Sequence, residues 1–364
     1  MRKLHRRVPR CFVACQTQTA MPRLTGTRNA GVFITSNQTQ FCVSTISLKR
    51  RSVNRGRRYG LTGKEFRSLK RQQAPDVLFI ILAAMRRIQG RIEPHLDGIE
   101  YFAGASTIQS QMLAHGYCCL AYDICNDHKH QDILSPSGFL TALSWALSLR
   151  ELSMTHWATV CSSWVWLSRS QSMRSELHPL GDESYDWVCK ANIMVSRMAL
   201  IWMVLQMRRC LYILEQPSSS VMWAHPRLIA WPRLMSTHTW MGCFMAPTCK
   251  PTRLWSTAPC VLQKLTRQMD AQTRKRCSSD EVVSINYNAH TVHGMTVTGG
   301  SRLKETQEYT PQYAKAVVDA YFDWKAAQQR PSDESESESD YQDDGGDPWD
   351  DLNLKEVLAL LDKP

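Results

Sequence analysis

"GIEYFAGASTIQSQMLAHGYCCLAYD", residues 98–123, is the stretch that decides the fold. It opens on a short apolar run, "GIEYF" (98–102), whose composition predicts a buried strand. A turn containing Gly104 follows. "STIQSQMLAHG" (106–116) then predicts a helix: Ser106 stands at the N-cap, Ile108, Met112 and Leu113 line one face, and Gly116 ends it. "YCCLAYD" (117–123) predicts a second strand closing on a carboxylate. Strand, tight turn, helix, strand is the unit of a parallel sheet, because the crossover helix returns the chain to the same edge.

The alternation continues outward. "SPSGFLTALSWALSL" (135–149) places Ser135 and Pro136 at a helix start, and Phe139, Leu140, Leu143, Ala146 and Leu147 recur at helical spacing. "HWATV" (156–160) predicts a strand with Val160 buried. A long helix is expected from about Glu183, with Trp187, Ala191, Met194, Met198, Ile201, Trp202 and Leu205 on its buried stripe, and "CLYIL" (210–214) predicts another strand. Thr310 and Pro311 start a last helix, with Tyr313, Val317, Tyr321 and Trp324 inward. The expected class is α/β, a Rossmann-like, doubly wound, mostly parallel sheet over residues 76–327.

Both flanks differ in composition from this body. Residues 1–64 hold fourteen Lys or Arg and no acid, so residues 1–75 are expected to be a mostly disordered basic arm. Such an arm suits an organelle transit peptide, or nuclear import and nucleic-acid gripping by "LKRRSVNRGRR" (48–58). Residues 331–350 carry nine acids and no base, which predicts an acidic disordered linker at 328–350; Ser335 and Ser337, each with an acid three residues on, suit acidophilic phosphorylation. Residues 351–364 suit a short amphipathic helix that docks on a protein partner, or a frayed tail. Thirteen cysteines, an odd number without paired spacing, point to reduced thiols and an intracellular reducing compartment. The longest uninterrupted apolar run, "VLFIILAAM" from Val77, is too short to cross a membrane, so no membrane partner is expected.

Ligands of open parallel sheets bind outside the carboxyl ends of the strands. Four consecutive strand ends carry, in order, the "FAGAS" turn, Asp123, Cys161 and Glu215. A glycine turn entering a helix lets a ligand reach backbone N–H groups, and a carboxylate about twenty residues on can take the two hydroxyls of a ribose. The glycines are too few for a pyrophosphate. A ribose-bearing cofactor without phosphate, S-adenosylmethionine, suits Phe102, Gly104, Asp123 and Asp132 better. Gly104 as a plain tight turn and Asp123 as a helix cap are the structural alternatives.

The order of these motifs resembles that of DNA (cytosine-5) methyltransferases. "IEYFAGAST" is similar to their first motif, "VCSSW" (160–164) falls at their Pro-Cys nucleophile, and "LEQPSSS" (214–220) at their Glu-Asn-Val. "GCFMAPTCKPTRLW" (242–255) resembles the later hairpin strands, and "RLKETQEYTPQYAKAV" (302–317) the closing cofactor motif. The resemblance implies a class I methyltransferase-type fold, S-adenosylmethionine as cofactor, nucleic acid as partner, Cys161 as nucleophile and Glu215 as the acid hydrogen-bonded to the target ring. The chemistry needs such a set: a thiolate added to carbon 6 of cytosine makes carbon 5 nucleophilic. It also implies that the polar loop 168–182, with Arg169 and Arg174, closes over a flipped base on which Trp164 and Trp166 stack. The chain departs from the family at Val160, in place of proline, and at Ser106, in place of the second glycine. Only about 45 residues separate Trp255 from the closing motif, little room for a target-recognition domain.

Other readings stay open. A hydrolase would pair Cys161 with His225 or His238, though the G-x-[SC]-x-G elbow does not occur. A catalytically inactive nucleic-acid-binding or scaffold protein would keep the fold with loosened motifs. Cys118, Cys119, Cys125, His128 and His130 crowd together, but not at zinc spacing.

Overall fold

Side-chain parity along four strands places the candidate site. The computed structural model describes residues 61–90, 92–231, 234–279, 285–291, 294–299 and 307–329. The readings on residues 1–60, on 330–350 with Ser335 and Ser337, and on 351–364 lie outside the described residues. Two helices, α1 (Gly63–Arg71) and α2 (Asp76–Gln89), precede β1 (Leu96–Tyr101), α3 (Thr107–Ala114), β2 (Cys119–Tyr122), α4 (Pro136–Leu147) and β3 (Leu149–Trp157). Then come α5 (Asp186–Met207), β4 (Leu211–Pro217), β5 (Met235–Trp240), β6 (Pro251–Ser256), α6 (Pro259–Leu265) and α7 (Ala271–Ser279). A hairpin of β7 (Ile285–Thr291) and β8 (Gly294–Gly299) precedes the closing helix α8 (Pro311–Gln328).

The main sheet runs β2-β1-β3-β4-β6-β5. β2, β1, β3 and β4 are mutually parallel, while β6 runs antiparallel to both β4 and β5. The α/β, mostly parallel class expected from the sequence is therefore the class observed, and it is compatible with a Rossmann-like fold. From β1 the chain moves to β2 on one side and then to β3 on the other, so the order reverses between β1 and β3. A crevice for ligands opens at such a reversal, outside the carboxyl ends of those two strands.

Both faces of the sheet are covered. Because alternate residues of a strand point to opposite faces, Ile99, Tyr101, Trp157, Tyr212 and Leu214 join the core under α1, α2, α4 and α5. There Tyr101 stacks on Trp157 at 3.8 Å and Trp202 on Tyr212 at 4.8 Å. Met154, Leu211, Ile213 and Leu254 face the other way, into a core closed by α3, α6 and α8. Glu100, His156 and Glu215 have that same parity, so three polar residues lie under α3 and α8 at the carboxyl edge.

Several expectations are corrected. The body begins before residue 76: Leu61 and Leu69 of the assigned arm are buried in the first core, and Thr62 caps α1 in a reciprocal box with Glu65. β3 starts seven residues earlier than expected and stops at Trp157, and Val160 is 49% exposed rather than buried. Its first half, "LREL", carries two exposed charges, which hid it from a search for apolar runs. Leu113 and Trp187 lie at the surface, outside the stripes assigned to them. α5 is apolar and long enough to span a membrane, with mean hydropathy 1.5. In this fold it packs against α1, α4 and β4, and its composition follows from that burial.

Candidate functional site

The turn after β1 is strained and held by Asp123, the carboxylate expected to take the hydroxyls of a ribose. Phe102, Gly104 and Ser106 all take positive φ, at +60°, +51° and +55°. Non-glycine residues in that region cost energy and mark places where the surroundings dictate the backbone. The Gly104 N–H donates to Asp123 Oδ2 at 2.9 Å, and the Cys125 N–H donates to Oδ1 at 2.8 Å. Asp123 thus ties the β2 end to the β1 turn, and each of its oxygens keeps a further lone pair for a ligand. Space is open in front of Gly104, and Ile124 beside the carboxylate presents an exposed apolar side chain. The turn therefore offers spare acceptor lone pairs beside open space. Asp132 sits at the far end of the same loop, accepting the Leu134 N–H at 2.9 Å, while Gln131 Oε1 accepts from Asp123 N.

Ser106 is the N-cap of α3, but its side chain caps nothing. Glu100, which the sequence reading passed over, does that work: the Gln109 N–H donates to its Oε2 at 2.8 Å. Glu100 is 1% exposed, and burial pushes its carboxyl from 4.5 up to about 7 against the pull of the α3 amides. Beside it in register on β3 lies His156, fully buried, bonded through Nε2 to the Tyr313 hydroxyl at 3.1 Å and held near 3 by burial.

Cys161 stands four residues past β3, in a turn where its carbonyl accepts from Trp164 N at 2.8 Å and from Val165 N at 3.2 Å. Glu215 belongs to β4 itself and is 4% exposed. Its Oε2 accepts from the Tyr309 hydroxyl at 2.9 Å, and its Oε1 lies 3.3 Å from Lys250 Nζ. Burial pushes the Cys161 thiol up, the Lys250 charge pulls it down, and Glu215 pushes it up again. Thiol, carboxylate and ammonium therefore act on one another at the carboxyl edge. The two loops that carry the acid and the thiol are stitched together: Gln216 Nε2 donates to Thr159 O, Val221 N to Trp164 O at 2.9 Å, and Arg169 Nη2 to Ser219 O at 3.1 Å. A shallow pocket lined by Met241, Thr248, Lys250, Glu308 and Tyr309 adjoins the acid.

The structure thus brings Cys161 together with Glu215, and Gly104 with Asp123. It does not leave the other assigned residues free. Trp164 is fully buried and cannot stack on a base. Arg174 is 2% exposed and holds the loop to the body, so it does not close over a substrate. Trp166 alone of the two tryptophans reaches the surface. His225 is unsuited to serve as a base for Cys161: its Nδ1 accepts the Arg227 N–H, and burial holds it near 3. Among the described residues no cluster of three His, Cys, Asp or Glu is placed to hold a metal. Lys250 and Tyr309 were missed because nothing local to either marks it; they meet Glu215 only through the β4–β6 pairing and the docking of α8.

Comparison of the chain with family models, with curated proteins and with solved structures finds no match.

Proposed function

We propose that the protein is an S-adenosylmethionine-dependent methyltransferase of the class I type, acting on a cytosine base of nucleic acid with Cys161 as nucleophile. The observation that carries this reading is the joining of Cys161, Glu215 and Lys250 into one electrostatic group beside the order reversal that also holds the Gly104–Asp123 contact. The antiparallel β5–β6 extension of the parallel sheet supports it, and so does a cofactor side with open space at Gly104 and spare lone pairs on Asp123.

In this reading Phe102, Gly104, Asp123 and Asp132 hold the cofactor, which when bound supplies an electrophilic methyl group. Cys161 loses its proton to solvent and its thiolate adds to carbon 6 of the ring, a step helped by the Lys250 charge, since the thiolate is the nucleophile. The carbon 5–carbon 6 π pair moves to carbon 5, which takes the methyl group; loss of the carbon-5 proton to water then restores the π bond and releases the thiolate. Glu215, oriented by Tyr309, meets the amino edge of the base. The burial that raises the Cys161 thiol favours a second reading, a binding protein on the same fold that does no chemistry.

Calorimetric titration of S-adenosylmethionine into the full chain, beside Asp123→Ala, tests the cofactor side. Micromolar binding lost in the variant is expected; a folded chain that takes up no cofactor sinks the proposal. Incubation with a 5-fluorocytosine oligonucleotide then separates the two readings. A covalent adduct lost in Cys161→Ala means chemistry, and cofactor binding without an adduct means the inactive fold.

A further inference from the structure

The segment that follows Cys161 is built around a buried cation. Arg174 donates through Nε to Ser163 Oγ at 2.9 Å, through Nη1 to Asn192 Oδ1 at 2.8 Å and to Pro179 O, and through Nη2 to Val188 O at 3.0 Å. Its guanidinium also lies 3.5 Å over the Trp164 ring. Four of its five N–H groups are thus satisfied by acceptors on three separate pieces of chain, in a geometry only a planar fork supplies. Among the described residues no carboxylate pairs with it directly. Asn192 relays the compensation instead, donating through Nδ2 to Glu183 Oε1 at 2.8 Å and to Leu180 O at 3.0 Å. Burying a charge this way carries a desolvation cost, visible in an arginine drawn down to about 10 by burial.

The backbone is shaped to wrap the cation. Asp182 N donates to Ser172 O at 2.8 Å. Gly181 takes φ +65°, where a side chain would come within 2.3 Å of Ser172 O and 2.7 Å of Arg174 Cγ. The apolar tips Met173 and Leu177 meanwhile point outward, 61% and 87% exposed. Two of the groups that Arg174 grips, Ser163 and Trp164, belong to the turn that begins at Cys161, whose carbonyl is bonded to Trp164 N.

We propose that Arg174 is a positioning residue: it bolts the turn Cys161–Trp164 to α5, so that the segment after the thiol is a fixed buttress and not a lid. The inference rests on the proposed function only in giving Cys161 a chemical role; the locking itself is a property of the chain. A turn so held presents the thiol at one depth whether or not a substrate is bound.

The test uses the full chain and needs neither cofactor nor nucleic acid, so its failure is distinct from failure of the methyltransferase reading. Alkylation of Cys161 by iodoacetamide is followed across pH by peptide mass spectrometry, beside hydrogen exchange, in wild type, Arg174→Lys and Ser163→Ala. The lysine keeps the charge but loses the fork, so amides 161–166 should exchange faster and Cys161 should react about tenfold faster, the scale of one lost charge-assisted hydrogen bond. The midpoint of its pH profile should move down as water reaches the thiol. Ser163→Ala should move both in the same direction by less, while exchange in β1 to β4 stays unchanged. A general structural role would loosen 172–192 and leave the Cys161 profile where it is; that result overturns the proposal. If Arg174→Lys does not fold, Ser163→Ala decides alone, and an unchanged Cys161 profile there overturns it equally.

Discussion

Replacing Glu100 by Gln should remove a pH dependence of stability and make the protein more stable above neutrality. The carboxyl is 1% exposed, one of its oxygens has no hydrogen-bond partner, and Asp123, Cys119, Tyr309 and Tyr313 all lie close enough to feel its charge. Folding raises it from 4.5 to about 7, so between those values the native state binds the proton that the unfolded chain has released. Stability then falls as pH rises through that window and levels off above it. At about 1.36 kcal/mol per tenfold change in proton affinity the full effect is about 3 kcal/mol, most of which falls between pH 5 and pH 8. Glutamine keeps an oxygen for the Gln109 N–H and carries no charge, so the variant lacks this loss. His156 and His225 are held neutral by burial and lose stability in the opposite direction, as pH falls through their window. They do so equally in both proteins and cancel in the difference. Urea unfolding of wild type and Glu100→Gln at steps from pH 5 to pH 8 reads that difference directly. Parallel curves across the range would refute the buried acid.

Three further outcomes follow from the same contacts. Lys250→Met removes the charge that lowers the Cys161 thiol, so the alkylation profile of Cys161 should shift to higher pH; an unshifted profile would separate the lysine from the thiol. Tyr309→Phe takes one donor from a carboxylate that is 4% exposed, and should cost about 1–3 kcal/mol in denaturant unfolding; a loss near zero would mean water replaces the hydroxyl at once. Leu69→Ala empties a fully buried position in α1 and should cost about 2–5 kcal/mol, where a variant as stable as wild type would return α1 to the arm.

What the sequence made legible is what neighbours in the chain determine. Short apolar runs sufficed for β1, β2 and β4, and cap residues at Ser135 and Thr310 marked α4 and α8, where each side chain takes a first-turn N–H. Half of β3 escaped because its opening segment, with exposed Arg150 and Glu151, carries no apolar signal, although Arg150 is there to pair with Asp97 of β1. Glu100 escaped for the opposite reason: one acid inside an apolar run reads as noise until α3 is laid across it.

The same distinction governs the site. Gly104 and Asp123 end two strands that pair directly, so their contact is implied by the order of elements alone. Cys161 follows β3 and Glu215 lies near the end of the adjacent β4, and the expectation that they share an edge needed nothing else. Lys250 enters from the residue before β6, a strand running the other way, and Tyr309 from the residue before the N-cap of α8, which returns from the far end of the chain. Arg174 shows the limit most sharply. In a polar segment an arginine reads as solvated, since burying its charge is costly unless every N–H finds an acceptor. Here Ser163, Pro179, Val188 and Asn192 converge from three pieces of chain to supply those acceptors. Such convergence has no local signature, and it ties the segment assigned as a closing loop to the body of the protein beside Cys161.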